Sequence, residues 1–169
     1  MSETLKNRTL PISVKQMNFA TGTWTYTYAS GIEKMRKTAT DETATVTIPI
    51  HIPRQSDQHG VKLKSIDVMI RVATADLDAV PGCTLYRQDF DLVVAGATGD
   101  QAAVAVTTTN NGVVTADAQD RLLTVTVTTP ALDYGTETTC AYLLELTFNA
   151  AASTVVDVYK AFAKYEELV

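Results

Sequence analysis

Residues 121–128 read Arg-Leu-Leu-Thr-Val-Thr-Val-Thr, a run in which apolar and hydroxyl side chains alternate one by one. Successive side chains of a β-strand point to opposite faces, so Leu123, Val125 and Val127 share one face and the threonines share the other. Antiparallel sheets commonly pack one face on a core and leave the other to water. This run therefore predicts an antiparallel β-strand with a single buried face.

The same alternation recurs along the chain and identifies further strands. It appears in residues 24–28, 44–52, 103–107 and 141–148. Between residues 61 and 73 the phase changes, because Val61 and Leu63 are odd-numbered whereas the later apolar positions are even-numbered. One inserted residue would restore the register, so we expect a β-bulge near Lys64–Ser65.

Composition and turn signals favour one all-β domain. The 169 residues are 46% hydrophobic and 20% charged, which suits a single globular core. The chain is rich in threonine and valine, which favour strands, and turn residues separate eight or so apolar runs. We therefore predict a single jelly-roll-like antiparallel β-sandwich over residues 21–169, preceded by an extended N-terminal arm over residues 1–20 that reaches a neighbouring subunit.

Two local patterns allow more specific predictions. Pro49 and Pro53 cannot donate to a ladder, so the strand from Ala44 to Ile52 is expected to lie at a sheet edge or to end there. Asn111-Gly112 suits a tight hairpin turn between flanking strands.

The C-terminal segment, residues 155–169, reads either as a helix or as a strand. Its valine and aromatic content favours the strand, which would form a hairpin with residues 140–148 through the loop at residues 149–153. In that strand Val156, Val158 and Phe162 would share a face.

The charge balance argues against nucleic-acid binding. The net charge is −5 and the isoelectric point is about 4.9, whereas phosphate contacts need clustered basic side chains. The densest basic run contains Lys34, Arg36 and Lys37, which we interpret as a solvated strand edge or loop. The first ten residues lack the apolar core of a signal peptide, and no run approaches a membrane span. We therefore expect synthesis in a cytoplasm.

The residues that usually carry chemistry are few and scattered. His51 and His59 have no partner at a zinc-like spacing, and Cys83 has no histidine positioned to activate it. Cys83 and Cys140 are expected to be free thiols, although one disulfide remains possible. Acidic pairs in loops are Asp76 with Asp78, Asp89 with Asp91, and Asp117 with Asp120. We expect solvated carboxylates there, or a cap at Asp117, and hence no catalytic, cofactor or metal residue.

The aromatic run Trp24, Tyr26 and Tyr28 has two interpretations. It is either the core face of a strand, which the neighbouring threonines favour, or an exposed platform on which a sugar stacks. The two differ in whether the rings face the second sheet or solvent.

The C-terminal half resembles a family of viral proteins. The segments 121–129, 140–148 and 155–167 resemble the closing strands of small jelly-roll structural or decoration proteins of phage and virus particles, which share a threonine-rich, tyrosine-ended pattern. The resemblance implies a capsid-associated protein that forms a cyclic homo-oligomer, such as a trimer, and binds a major capsid protein.

The predicted function follows from these observations together. We expect a non-enzymatic virion structural protein, such as a phage head decoration protein, with identical subunits and a capsid protein as partners. We expect it to act without cofactor, nucleic acid or membrane. The alternative is a carbohydrate-binding or tail-fibre-type β-sandwich module, and an enzyme on a sandwich scaffold would need two convergent carboxylates.

Overall fold

The computed structural model describes residues 5–51, 60–91, 100–130 and 138–168. These ranges consist mainly of strands, joined by turns and one 3₁₀ turn at Val14–Gln16. The strands are β1 (Leu5–Ser13), β2 (Asn18–Thr21), β3 (Trp24–Ala29), β4 (Ile32–Lys37), β5 (Glu42–Ile50), β6 (Val61–Ala73), β7 (Gly82–Asp91), β8 (Asp100–Val104), β9 (Val106–Thr109), β10 (Asp120–Val127), β11 (Thr138–Ala150) and β12 (Val155–Leu168). Nothing in these ranges forms a helix able to cross a bilayer.

The strands form two antiparallel sheets. The first has the order β3-β4-β12-β6-β10-β9, with β1 also paired to β12, and the second has the order β2-β5-β11-β7-β8. Strands β4 to β8 and β10 to β12 follow the jelly-roll order, with β4-β12-β6-β10 in the first sheet and β5-β11-β7-β8 in the second. Every connection among these strands crosses between the sheets except the one from β7 to β8. The predicted all-β, jelly-roll-like antiparallel sandwich is therefore confirmed.

The core lies between the two sheets and contains the apolar half of each alternating run. Leu123 and Val125 are completely buried, and Val127 is 5% exposed. Each such side chain contributes about 1.5–3 kcal/mol when removed from water. Further side chains with no exposed surface are Val46, Ile48, Ile50, Ile66, Val68, Ile70, Leu85, Leu144, Leu146, Phe148, Val156 and Val158.

The phase change in β6 is a register irregularity, as the sequence predicted. Ser65 lies opposite Lys164 and Leu63 lies opposite Tyr165, so Lys64 has no counterpart on β12. The extra residue keeps Leu63 and Ile66 on the buried face although their numbers differ in parity. The bulge at Lys64–Ser65 is therefore confirmed.

The C-terminal segment is a strand, but its hairpin partner was predicted wrongly. Strand β12 pairs with β6, β4 and β1 in the first sheet, whereas β11 pairs with β5 and β7 in the second. The turn between them therefore crosses from one sheet to the other. A second register irregularity, between Val158 and Lys160, shifts the later residues to the opposite faces of the strand. Ala161 is therefore buried like Val156 and Val158, whereas Phe162 lies on the other face, contrary to the prediction.

The N-terminal segment is extended but lies within the sandwich. Strand β1 pairs with β12 along its full length, from Leu5 opposite Leu168 to Ser13 opposite Lys160. Val14 and Met17 then enter the core, and β2 joins the second sheet beside β5. The described part of the predicted arm therefore connects the two sheets.

Two other local predictions were partly correct. Strand β2 pairs with β5 only as far as Thr47. At Pro49, β11 is therefore the one neighbour of β5 among the described strands, so this part of β5 lies at a sheet edge, as predicted. Asn111 and Gly112 both have positive φ, as expected of a tight turn. The predicted hairpin is wrong, however, because β9 pairs with β10, and Val113 fills the core instead of starting a strand.

Strand register also separates the two cysteines. Cys83 lies opposite Leu146 and Cys140 lies opposite Asp89 on the same strand pair. Six residues of strand, roughly 20 Å, therefore separate them, which exceeds the reach of a disulfide. Cys83 is a free, half-buried thiol, as expected, and burial raises its pKa to about 11.

Candidate functional site

Strand β12 changes its neighbour at one point, and this creates a notch in the first sheet. Residues Val156–Val158 pair with β4, whereas Lys160–Leu168 pair with β1. Tyr159 lies between the two stretches, at the register shift. The pairing with β4 ends at Val158 and the pairing with β1 starts at Lys160, so a gap remains beside Tyr159.

The notch holds a cavity of about 600 Å³, within the usual range for small-molecule sites. Strand β1 and the 3₁₀ turn form one wall, the tip of the β3–β4 hairpin forms another, and β6, β10 and β12 provide the floor. The lining residues are Pro11, Ile12, Ser13, Gln16, Gly31, Ile32, Glu33, Met69, Asp120, Tyr159 and Lys160.

Tyr159 is held in the floor by charged neighbours. Its side chain is 7% exposed, with Lys34 Nζ 5.8 Å and Arg71 Cζ 5.7 Å from the ring centroid. Burial raises its pKa to about 12, and the negative charges of Asp157 and Asp120 add to the shift. Tyr159 therefore keeps its proton at neutral pH and its hydroxyl remains a hydrogen-bond donor.

A row of alternating charges crosses the outer face of the sheet next to Tyr159. Register places Arg36, Asp157, Arg71 and Asp120 side by side on β4, β12, β6 and β10. Arg36 donates to Asp157 through Nε at 2.7 Å and Nη2 at 2.8 Å, and Arg71 Nε donates to Asp120 at 2.8 Å. Each charge is therefore compensated by its neighbour.

Asp157 is the most buried member of this row, with 1% of its side chain exposed. Burial alone would raise its pKa, but hydrogen bonds from Arg36 and from Lys34 at 2.8 Å outweigh that effect and lower the pKa. The carboxylate therefore remains charged and holds β4 against β12.

Glu33 links the two walls of the notch, because it lies on the β3–β4 hairpin and binds residues of β1 and the 3₁₀ turn. Lys15 Nζ lies 2.6 Å from its carboxylate, and Tyr26 and Ser13 donate hydroxyl hydrogen bonds to it. Lys15 and then Tyr26 lower the pKa of Glu33. Glu33 is thus an anion, which favours hydrogen-bond acceptance over proton donation.

The aromatic run divides between the two predicted roles. Trp24 is half-buried, with its ring centroid 4.8 Å from that of Phe19 and 6.2 Å from that of Phe148. Its indole nitrogen donates to the Thr21 carbonyl, so it belongs to the core. Tyr26 and Tyr28, beyond the edge of the core, are 42% and 64% exposed.

The basic run was interpreted wrongly as solvated. Lys37 is fully buried and donates to the carbonyls of Thr38 and Thr40 at 2.9 and 2.6 Å. Lys34 and Arg36 are bound by Asp157. Because all three cations have partners within the chain, they do not form a free basic patch.

The other candidate residues lie apart. His51 is exposed at the end of β5, while His59 and the side chains of Asp89 and Asp91 lie outside the described residues. Asp78 is exposed, and Asp76 accepts from the Ala116 amide. Asp117 pairs with Arg121 and accepts from the Gln119 amide, as a capping side chain does, and Asp120 pairs with Arg71. Neither is a simply solvated carboxylate. Within the described ranges, no three potential metal ligands cluster together.

The sequence did not predict the notch itself. Strand β12 carries the same kind of signal that identified the bulge in β6, since Val156 and Val158 are buried before Tyr159, and Ala161 and Ala163 after it. That phase change could have located Tyr159. The pairing of its neighbours with β1 and β4 could not be read from the sequence.

Comparison with known proteins gives weak structural likenesses. No family model and no curated protein matches the chain. A mutant of the carbohydrate-binding module CBM29-2 aligns with 95% of this chain and 93% of its own, at 5% identity and a TM-score of 0.40. The VP1 pentamer of human polyomavirus 6 aligns over 96% and 94%, at 14% identity and a TM-score of 0.21.

A third likeness is to a chain in the structure of infectious bursal disease virus, Gt strain. The alignment covers 97% of this chain and 42% of the viral chain, at 17% identity and a TM-score of 0.26. Both carbohydrate-binding and viral proteins are thus found, and likenesses this distant assign neither function.

Proposed function

We propose that this protein is a non-enzymatic binding module that holds a carbohydrate in the notch beside Tyr159. The observation that carries the proposal is the combination of surfaces there. Pro11, Ile32 and Met69 offer apolar surface, while Glu33 and Asp120 offer charged acceptors. A sugar presents the complementary combination, with apolar C–H faces and hydroxyl donors around its ring.

The state of the carboxylates favours binding over hydrolysis. A glycosidase needs one carboxylic acid that keeps its proton to donate to the leaving group. Glu33 has a lowered pKa because Lys15 stabilises its anion, and Asp120 already accepts hydrogen bonds from Arg71. Such carboxylates orient sugar hydroxyls, so the proposed activity is recognition alone.

Glycan-array screening followed by calorimetric titration tests this proposal. Ile32 is 55% exposed, so an Ile32→Arg variant should fold normally yet obstruct the notch. We expect a sugar that binds the wild type to lose affinity by about tenfold or more in this variant. Val80→Arg is the matched control, since Val80 is 45% exposed and does not line the notch.

Absence of glycan binding by the wild-type protein would refute the proposal. Equal binding by the wild type and Ile32→Arg would refute the location of the site.

A second candidate is the virion structural protein expected from the sequence, such as a phage head decoration protein. The jelly-roll strand order supports it, because viral capsid domains and lectins share this architecture. In this case the partners would be identical subunits and a major capsid protein, and the location would be the virion surface. Co-sedimentation with purified capsids tests it, and a protein that stays in the supernatant would contradict it.

A further inference from the structure

Strand β3 lies at the edge of its sheet. It forms one end of the first sheet, and β4 is its one partner among the described strands. The Thr23 carbonyl accepts from the Thr38 amide across the hairpin, and backbone groups alternate sides along a strand. The amides and carbonyls of Tyr26 and Tyr28 therefore point away from β4, where a further strand could bind them.

This edge lacks the usual protection against pairing. Exposed edges are generally blocked by lysine, proline, a bulge or a short strand. Residues 24–29 read Trp-Thr-Tyr-Thr-Tyr-Ala, without charge, proline or glycine, and their pairing with β4 is unbroken. By contrast, the strand at the opposite end of the same sheet, β9, is a short edge strand of four residues.

The hairpin tip is also accessible and apolar. Strand β4 pairs with β12 through Met35–Lys37, so the hairpin residues nearer the turn are not paired with β12. Tyr26, Tyr28 and Ile32 are 42%, 64% and 55% exposed, half of the large hydrophobic side chains that are exposed among the described residues. Uncovered backbone groups and exposed rings thus coincide on one strand.

We propose that β3 pairs antiparallel with β3 of a second copy of this chain, about a two-fold axis through Thr27. In this register Tyr26 lies opposite Tyr28 of the second copy, and Thr27 lies opposite Thr27 of the second copy. The two tyrosine pairs exchange backbone hydrogen bonds, and cross-strand aromatic pairs stabilise sheets further. The interface shares the β3–β4 hairpin with the proposed carbohydrate site, but it requires no bound sugar.

The charges beside β3 favour a second copy as the occupant. Lys15 Nζ lies 5.4 Å from the Tyr26 ring centroid, and Glu33 lies opposite Tyr28. Lys15 Nζ also lies 2.6 Å from the Glu33 carboxylate of its own copy, so these two charges compensate each other. Lys34, on the other face, is already bound to Asp157. Because these charges are compensated within each copy, two identical edges can meet without like-charge repulsion. The outward amides and carbonyls of Tyr26 and Tyr28 lie symmetrically about Thr27, so the edge is self-complementary, as a two-fold interface requires.

Cysteine cross-linking tests the register. Two Thr27→Cys chains would meet in a pair without backbone hydrogen bonds, where Cα atoms lie about 4.5 Å apart and a disulfide can form. Thr25→Cys is the control, because each Thr25 would face Ala29 of the second copy, roughly 13 Å from its own counterpart. We expect oxidation to yield a covalent dimer with Thr27→Cys alone, and the wild type controls for native thiols.

Light scattering after size-exclusion chromatography tests the assembly. We expect twice the chain mass for the wild type and for Thr107→Lys, an exposed control on β9, but the mass of one chain for Thr27→Lys. A monomeric wild type would overturn the proposal. A dimer that persists in Thr27→Lys and fails to cross-link through Thr27→Cys would overturn it as well. Glycan binding is measured separately, so either proposal can fail alone.

Discussion

Replacing Asp157 with asparagine is the most direct test of how the two parts of the first sheet are held together. The carboxylate lies between β4 and β12 with 1% of its side chain exposed, and it accepts three charge-assisted hydrogen bonds from Arg36 and Lys34. Asparagine keeps the shape of the side chain but removes its charge. Two cations are then left facing a neutral amide.

The expected loss follows from the exposure of the partners. Breaking a buried ion pair by removing one member costs about 3–5 kcal/mol. The Arg36 side chain is 44% exposed and that of Lys34 is 17% exposed, so water recovers part of their solvation. We therefore expect the free energy of unfolding to fall by about 3 kcal/mol. In a chain of this size, that lowers the melting temperature by roughly 6–12 °C.

Urea denaturation followed by fluorescence measures this loss. The chain has one tryptophan, and Trp24 packs against Phe19 and Phe148, so its emission reports on the core. Lys64→Met is the matched control, because it breaks the more exposed pair with Glu166 and should cost about 1 kcal/mol or less. If Asp157→Asn loses no more than this control, then Asp157 does not hold β4 against β12.

Three further predictions concern two glycines, Trp24 and the pH dependence of stability. In Gly22→Ala a new Cβ would lie 2.7 Å from Ala44 Cβ at φ +90°, whereas in Gly31→Ala it would meet nothing within 4 Å at φ +78°. We expect the first variant to lose at least about 2 kcal/mol and the second about 1 kcal/mol, and equal losses in urea denaturation would contradict the close approach of β5. Trp24→Ala should lose about 3 kcal/mol because it opens a cavity beside Phe148, and an unchanged melting temperature would place Trp24 outside the core. Stability should also change at both pH extremes. The lowered pKa of Asp157 means that its contribution is present above about pH 3.8 and is lost as the pH falls further. The raised pKa of Tyr159 means that its contribution is present below about pH 10 and is lost as the pH rises towards 12. Denaturation of Asp157→Asn and Tyr159→Phe across the pH range checks both, since each variant should lack one of these dependences.

The local pattern of the chain determined its strands. Alternation in residues 121–128 depends on a period of two, which is a property of an extended backbone and needs no knowledge of its neighbours. For the same reason the phase change in β6 revealed the bulge near Lys64. Likewise, the positive φ of Asn111 and Gly112 reflects residue types that tolerate that conformation.

Only the tertiary structure decided which strands pair and which side chains meet. Backbone hydrogen bonds can form between any two strands, so the sequence does not specify which strands pair. It therefore did not show that the neighbour of β12 changes from β4 to β1 at Tyr159, or that the turn after β11 crosses between sheets. Lys37 appeared in the sequence as one member of a basic run, but the fold buries it against the carbonyls of Thr38 and Thr40. Local periodicity depends on the conformation of one segment, whereas the notch and the charge row depend on contacts between segments that are distant in sequence.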